Sequence, residues 1–281
     1  MRSVVTLPMR AARRFFFRPI YDQIYVRRIH QRPNKRYRQN LVNSEPQTDF
    51  LEHAQTLCRD GVLILPSYFG GDDLKRMNDD FARWTEDWDL PEDAKLDITS
   101  SYLKDSAAFS RATFDPYLLS LVRYYWGKPV FLAESTGTRI DPIEIKDYSA
   151  FQWHHDAKRM QVKVMIVLTD VPADGQRMFY LPGTHRLWHQ HVGTYQETRV
   201  PPEVAQIYGE PVECYGPAGS VVIFDTNGIH RGNRNLGPRR DTWTNNYTAG
   251  RFLFPLPGLH PDVLPGMTPE QLTMTRMDEI L

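Results

Sequence analysis

Apolar residues fall into two textures along the chain. Between residues 48 and 127 they recur at helical spacing. "TDFLEHAQTLCRDG" has one apolar face and a glycine stop at Gly61, which predicts a helix. "VLILP" (62–66) reads as a short buried strand. "GGDDLKRMNDDFARWTEDW" predicts a capped amphipathic helix with Leu74, Met77, Phe81 and Trp84 on one face. "DPYLLSLVRYYWG" (115–127) predicts another, ended by glycine. From about residue 129 the period shortens. "PVFLAESTGTRID", "FQWHHD", "QVKVMIVLTDV", "RMFYLP", "GSVVIFD" and "RDTWTNNYTA" are short runs divided by turn residues, the pattern of a β-barrel or sandwich. Helices first and strands second imply a mainly β fold braced by helices on one outer face. The tail is Pro-rich with one short terminal helix.

The start of the chain differs from both textures. Phe17, Ile20, Tyr21, Ile24, Tyr25 and Arg28 line one face of a helix. "RPNKRYRQNLVNSEPQ", which follows, is polar and reads as a linker. The expected division is therefore a leader and linker over 1–45 and a domain over 46–281. Residues 1–40 carry eleven Lys or Arg and one acid, Asp22, in a chain of formal net charge zero. The leader is read first as docking on its own domain or a partner. A membrane surface and a mitochondrial transit peptide are the alternatives. A cytoplasmic protein is the resulting expectation, with peripheral membrane or lipid contact through residues 1–40, or mitochondrial targeting by the leader, as the alternatives.

Composition removes several classes. A neutral chain has no overall nucleic-acid footprint. Two cysteines, Cys58 and Cys214, supply neither a disulfide framework nor a thiolate cluster and suit a reducing compartment. No apolar run of 18 residues exists to span a bilayer.

The chemistry concentrates in "WHHD". On a strand His154 and Asp156 share a face, and His155 turns away. One imidazole and one carboxylate, joined by His230 from the later "IFDTNGIHRG", would make the two-histidine, one-carboxylate set of non-haem Fe(II) oxygenases. A polar strand end is the competing reading. A guanidinium at Arg239 or Arg240 could pair with a carboxylate.

Three stretches resemble the phytanoyl-CoA dioxygenase family. "WHHD" is similar to its W-H-x-D. "VKVMIVLTDVPADGQRMFYLPGTHR" is similar to its strand, glycine turn and P-G-S/T-H motif. "GPAGSVVIFDTNGIHRGNRNLGPRR" is similar to its distal histidine, asparagine and arginine run. The resemblance covers about residues 50–250. It implies a double-stranded β-helix (jelly roll), and an enzyme that uses Fe(II), 2-oxoglutarate and O2 to hydroxylate a small or medium organic metabolite. It implies that His154, Asp156 and His230 ligate iron. Arg239 is expected to meet the distal carboxylate of 2-oxoglutarate, with Arg240 turned outward. Gly232 stands where family members often place a serine. Halogenase relatives replace the ligand carboxylate, so Asp156 argues for hydroxylation. A non-catalytic jelly-roll binding protein and an iron oxygenase independent of 2-oxoglutarate are the alternatives.

Other residues receive plainer readings. His30, His53, His185, His189, His191 and His260 are taken as structural, His185 fixing its loop. Lys158, Arg159 and Lys163 read as a solvated loop before an anionic-substrate contact. Trp153, Tyr148, Phe151 and Tyr180 read as core before pocket. Thr136 and Thr138 are placed near the cosubstrate.

Overall fold

The structure, a computed structural model, describes residues 33–86, 95–141, 149–156, 161–186, 198–233, 237–249 and 258–275. The basic leader lies outside them, up to residue 32. Helix α1 (Lys35–Ser44) is followed by α2 (Phe50–Asp60), β1 (Val62–Leu65) and α3 (Gly71–Thr85). Then come β2 (Lys95–Thr99), α4 (Ala107–Thr113), α5 (Pro116–Trp126), β3 (Phe131–Ile140) and β4 (Gln161–Val167). The later strands are β5 (Met178–Tyr180), β6 (Val212–Cys214), β7 (Val221–Asp225), β8 (His230–Gly232) and β9 (Arg240–Thr248). A short helix, Pro269–Thr275, follows them.

Six strands form one antiparallel sheet in the order β1-β7-β4-β9-β3-β2, and three form a second in the order β6-β5-β8. Strand alternation gives each sheet two faces. On the larger sheet, Val162, Val164 and Ile166 of β4 and Trp243 and Tyr247 of β9 belong to the main core. That core also takes Leu57, Met77, Phe81, Trp84, Phe109 and Leu121 from the helices. Trp243 packs 4.4 Å from Phe109, ring to ring. The alternate residues, Lys163 and Met165 of β4 and Thr242, Thr244 and Asn246 of β9, line a cavity on the opposite face. One layer of helices thus covers the outer face, and the inner face is left for chemistry. This is the jelly roll braced on one side.

Gly61 ties the helical layer to the sheets. Its φ of 78° ends α2 in the left-handed conformation. A Cβ there would lie 2.3 Å from the His185 ring and 2.6 Å from the Tyr180 hydroxyl. Its carbonyl accepts from Asp225 N–H at 2.9 Å.

Three expectations change. The "linker" folds as α1, because Asn34 caps it and Arg38 reaches the last carbonyls of α5. Arg38 donates to Tyr124 O and Tyr125 O, each at 2.7 Å. "FQWHHD" is not a strand. Ser149–Phe151 is a 3-10 turn and only His154 pairs, through single bridges to His230 and Arg199. Strand β2, helix α4 and strand β6 were not anticipated; the last is only three residues long. Among the described residues no helix is long and apolar enough to cross a membrane.

Candidate metal centre

Backbone pairing brings the three predicted residues together. His154 N–H donates to His230 O at 2.9 Å, and His230 N–H donates back to His154 O at 2.8 Å. Residues paired this way across antiparallel chains present their side chains to one face. Asp156 N–H donates to Thr226 O at 2.8 Å, which pins the carboxylate's chain segment to the turn ahead of β8. That turn is held from below. Asp225, fully buried, accepts from the Asn227 backbone and side-chain amides at 2.8 and 2.9 Å and from the Tyr125 hydroxyl.

The side chains converge. Asp156 Oδ1 lies 3.7 Å from His154 Nε2 and 3.8 Å from His230 Nε2. One donor atom from each residue falls within 4.8 Å of the others. The imidazoles are oriented for coordination. His154 Nδ1 lies 2.7 Å from Gln152 O, and His230 Nδ1 lies 2.8 Å from Gly228 O. A carbonyl only accepts, so this network assigns the proton to Nδ1 in both rings. Each Nε2 then presents a lone pair to the centre, as a metal ligand must. Burial and the neighbouring His230 lower the His154 pKa to about 3; burial likewise lowers that of His230. Both rings are neutral at pH 7. Burial alone would raise the Asp156 pKa, but Lys163 and the histidines hold it well below the usual carboxylate range. Two neutral imidazoles and one carboxylate on one side of a cavity fit a ferrous ion with a facial triad.

The cavity, about 480 Å³, runs along the inner face from these residues past Thr136 and Thr138 to Arg240. The two neighbouring arginines lie on different sides of β9. Arg239 lies outside the cavity, half-exposed (49%), with Nε 2.5 Å from Asp141 Oδ1. Arg240 is the residue that lines it, donating to Gln176 O at 2.7 Å. The reason is register. Trp243 and Tyr247 face the helices, as does Asp241 in its paired contact with Arg139 at 2.9 and 2.8 Å. Even-numbered β9 residues therefore face inward. Counting from the aromatic pair, rather than from Pro238, would have found this in the sequence.

Lys163 was also misplaced. It is the third residue of β4, between core-facing Val162 and Val164, so it must face the cavity. Its Nζ lies 2.6 Å from Asp156 Oδ2. Phe151 lines the cavity, whereas Tyr180 is fully buried and stacks on His230 at 6.3 Å. His155 is buried and turned toward its own chain, with Nδ1 3.0 Å from Asp156 O. Lys158, Arg159, Tyr148, His189 and His191 lie outside the described residues.

The chain is similar to known proteins of one family. A profile of the phytanoyl-CoA dioxygenase (PhyH) family matches residues 57–241, more than half of the chain. The ectoine dioxygenase of Stutzerimonas stutzeri is 24% identical over 238 residues, 72% of this chain and 76% of that protein. The ectoine dioxygenase of Bordetella bronchiseptica is 26% identical over 221 residues, 66% and 71%. The fold is shared with the non-heme alpha-ketoglutarate-dependent carbocyclase SnoK from nogalamycin biosynthesis. Its TM-score is 0.60 at 18% identity, covering 82% of this chain and 93% of that one. HygX from Streptomyces hygroscopicus, solved with nickel and 2-oxoglutarate bound, gives 0.56 at 18% identity, covering 72% and 87%. The chain belongs to the phytanoyl-CoA dioxygenase family and is an Fe(II)- and 2-oxoglutarate-dependent dioxygenase.

Proposed function

We propose that His154, Asp156 and His230 hold the iron and that Arg240 anchors 2-oxoglutarate, in an enzyme that hydroxylates a small or medium organic metabolite. The overall change is one 2-oxoglutarate, one O2 and one substrate C–H to succinate, CO2 and a C–OH. Iron(II) supplies the redox chemistry that couples decarboxylation to substrate oxidation. The protein supplies orientation. The two Nδ1–H donors fix the ring planes, and Lys163 holds the carboxylate oxygen that does not face the histidines. The observation that carries the reading is the paired Nδ1–carbonyl geometry, which aims both Nε2 lone pairs at Asp156 Oδ1.

The arginine assignment is tested by comparing Arg240→Met with Arg239→Met. A charge-assisted pair with a carboxylate contributes roughly 1.5–3 kcal/mol, or about 10–100-fold in affinity. Arg240→Met is expected to raise the 2-oxoglutarate requirement for succinate release by that factor, with Arg239→Met near wild type. The reverse pattern would return the role to Arg239.

A further inference from the structure

A second cavity, about 650 Å³, adjoins the metal pocket, and Phe151 and Gly232 line both. Its chemistry is one-sided. It is lined by two guanidinium groups, Arg199 and Arg231, and two side-chain amides, Gln152 and Asn233. Among the described residues that line it there is no carboxylate. We infer that this cavity receives the acidic group, a carboxylate or phosphate, of the enzyme's substrate, and so directs the rest of the molecule past Phe151 toward the metal. The inference deepens the proposed function and rests on it.

Arg231 is built for this. Its guanidinium carbon sits 4.6 Å from the Trp153 ring centre and 5.1 Å from that of Phe179. Stacking on aromatic faces fixes the plane of the fork and leaves its edges for an oxyanion. Its Nε is buried with no hydrogen-bond partner among the described residues. Arg199 comes from the other side. Its backbone bridges His154, so its side chain starts from the face that carries the metal-facing imidazole. Gly232 keeps the two cavities in contact. A Cβ there would press on the Phe151 ring at 3.3 Å. The volume suits a small or medium metabolite.

The test uses three aromatic probes followed by ligand-observed NMR: benzoate, phenyl phosphate and uncharged benzyl alcohol. The protein carries Mn(II) in place of iron and saturating 2-oxoglutarate, so that Arg240 is already engaged. Benzoate or phenyl phosphate is expected to bind, the stronger of the two naming the acid, with benzyl alcohol at least roughly tenfold weaker. Mn(II) should broaden the bound probe's ring protons more than Zn(II) does, which places the probe beside the metal. Arg231→Gln should weaken the anion roughly tenfold or more, and Arg239→Met, outside both cavities, should not. Gln152→Glu, a change at an exposed side chain, should weaken it too, so a misfolded Arg231 variant does not remove the test. Equal binding of benzyl alcohol, indifference to both cavity variants, or no added broadening by Mn(II) would each overturn the inference. Failure of the protein to bind Mn(II) at all would instead strike the metal assignment, and the probe comparison would still read the cavity.

Discussion

Lys163 shows how one side chain can set the geometry of a metal ligand. Its ammonium lies 2.6 Å from Asp156 Oδ2, while Oδ1 faces the two imidazoles. A carboxylate held by one oxygen offers the other to a metal and resists turning. Outer partners of this kind commonly contribute 10–100-fold to metal affinity. Lys163→Met is therefore expected to weaken Mn(II) binding by about tenfold or more in calorimetric titration. Unchanged affinity would mean that the Asp156 backbone bond to Thr226 alone holds the ligand. At this scale the cluster of His154, Asp156 and His230 was legible in the sequence from the family pattern, although the segment is not the strand that the i, i+2 spacing assumed. Lys163 was read first as a solvated loop and Arg240 as the outward neighbour of Arg239, although alternation turns both toward the cavity. Each is flanked by or in phase with buried residues, Val162 and Val164 for one and Trp243 and Tyr247 for the other. Nothing in the local charge marks the difference between Arg239 and Arg240; only the fixed phase of β9 does.

Elements hold the site through pairs that cross the sheet. Strand β3 lies against β9 from Phe131↔Thr248 to Ile140↔Arg240. Near the Arg240 end, Arg139 and Asp241 form a two-bond pair with 12% and 8% of their side chains exposed. Removing one member leaves the other charge buried, which costs about 3–5 kcal/mol. Asp241→Ala is expected to lower stability by about that amount in chemical denaturation. A loss near zero would show that water replaces the partner. The main helices and long strands were readable from periodicity, since each sets apolar residues against the core at its own spacing, as Trp243 and Tyr247 do on β9 and Val162, Val164 and Ile166 on β4. The short elements were not. Strand β6 exists because Met178–Tyr180 pairs with it, and the HxD segment is held by bridges from His154 to the distant Arg199 and His230. Helix α1 is mostly polar, with no fully buried residue, and docks through Arg38 on α5 and through half-buried Leu41 and Val42 on the core.

Across the whole molecule, helices insulate one face of the larger sheet, and the second sheet carries His230 toward the other. The small sheet packs tightly enough to isolate its thiol. Burial pushes Cys214 up to about 12. At about pH 9, roughly one such thiol in a thousand is a thiolate. In native protein, alkylation of Cys214 should be slow at that pH and rise about tenfold per pH unit, while unfolded protein labels at once. Fast native labelling would contradict the packing. The central claim, that the converged triad is an iron site open to 2-oxoglutarate, is tested most directly by anaerobic titration with Fe(II) and then 2-oxoglutarate, followed by visible absorbance. One iron per chain, and a weak charge-transfer band appearing only with 2-oxoglutarate, are predicted for the wild type, with both lost in the double variant His154→Ala/His230→Ala. Iron binding that survives loss of both imidazoles, or no band on adding 2-oxoglutarate, would contradict the account.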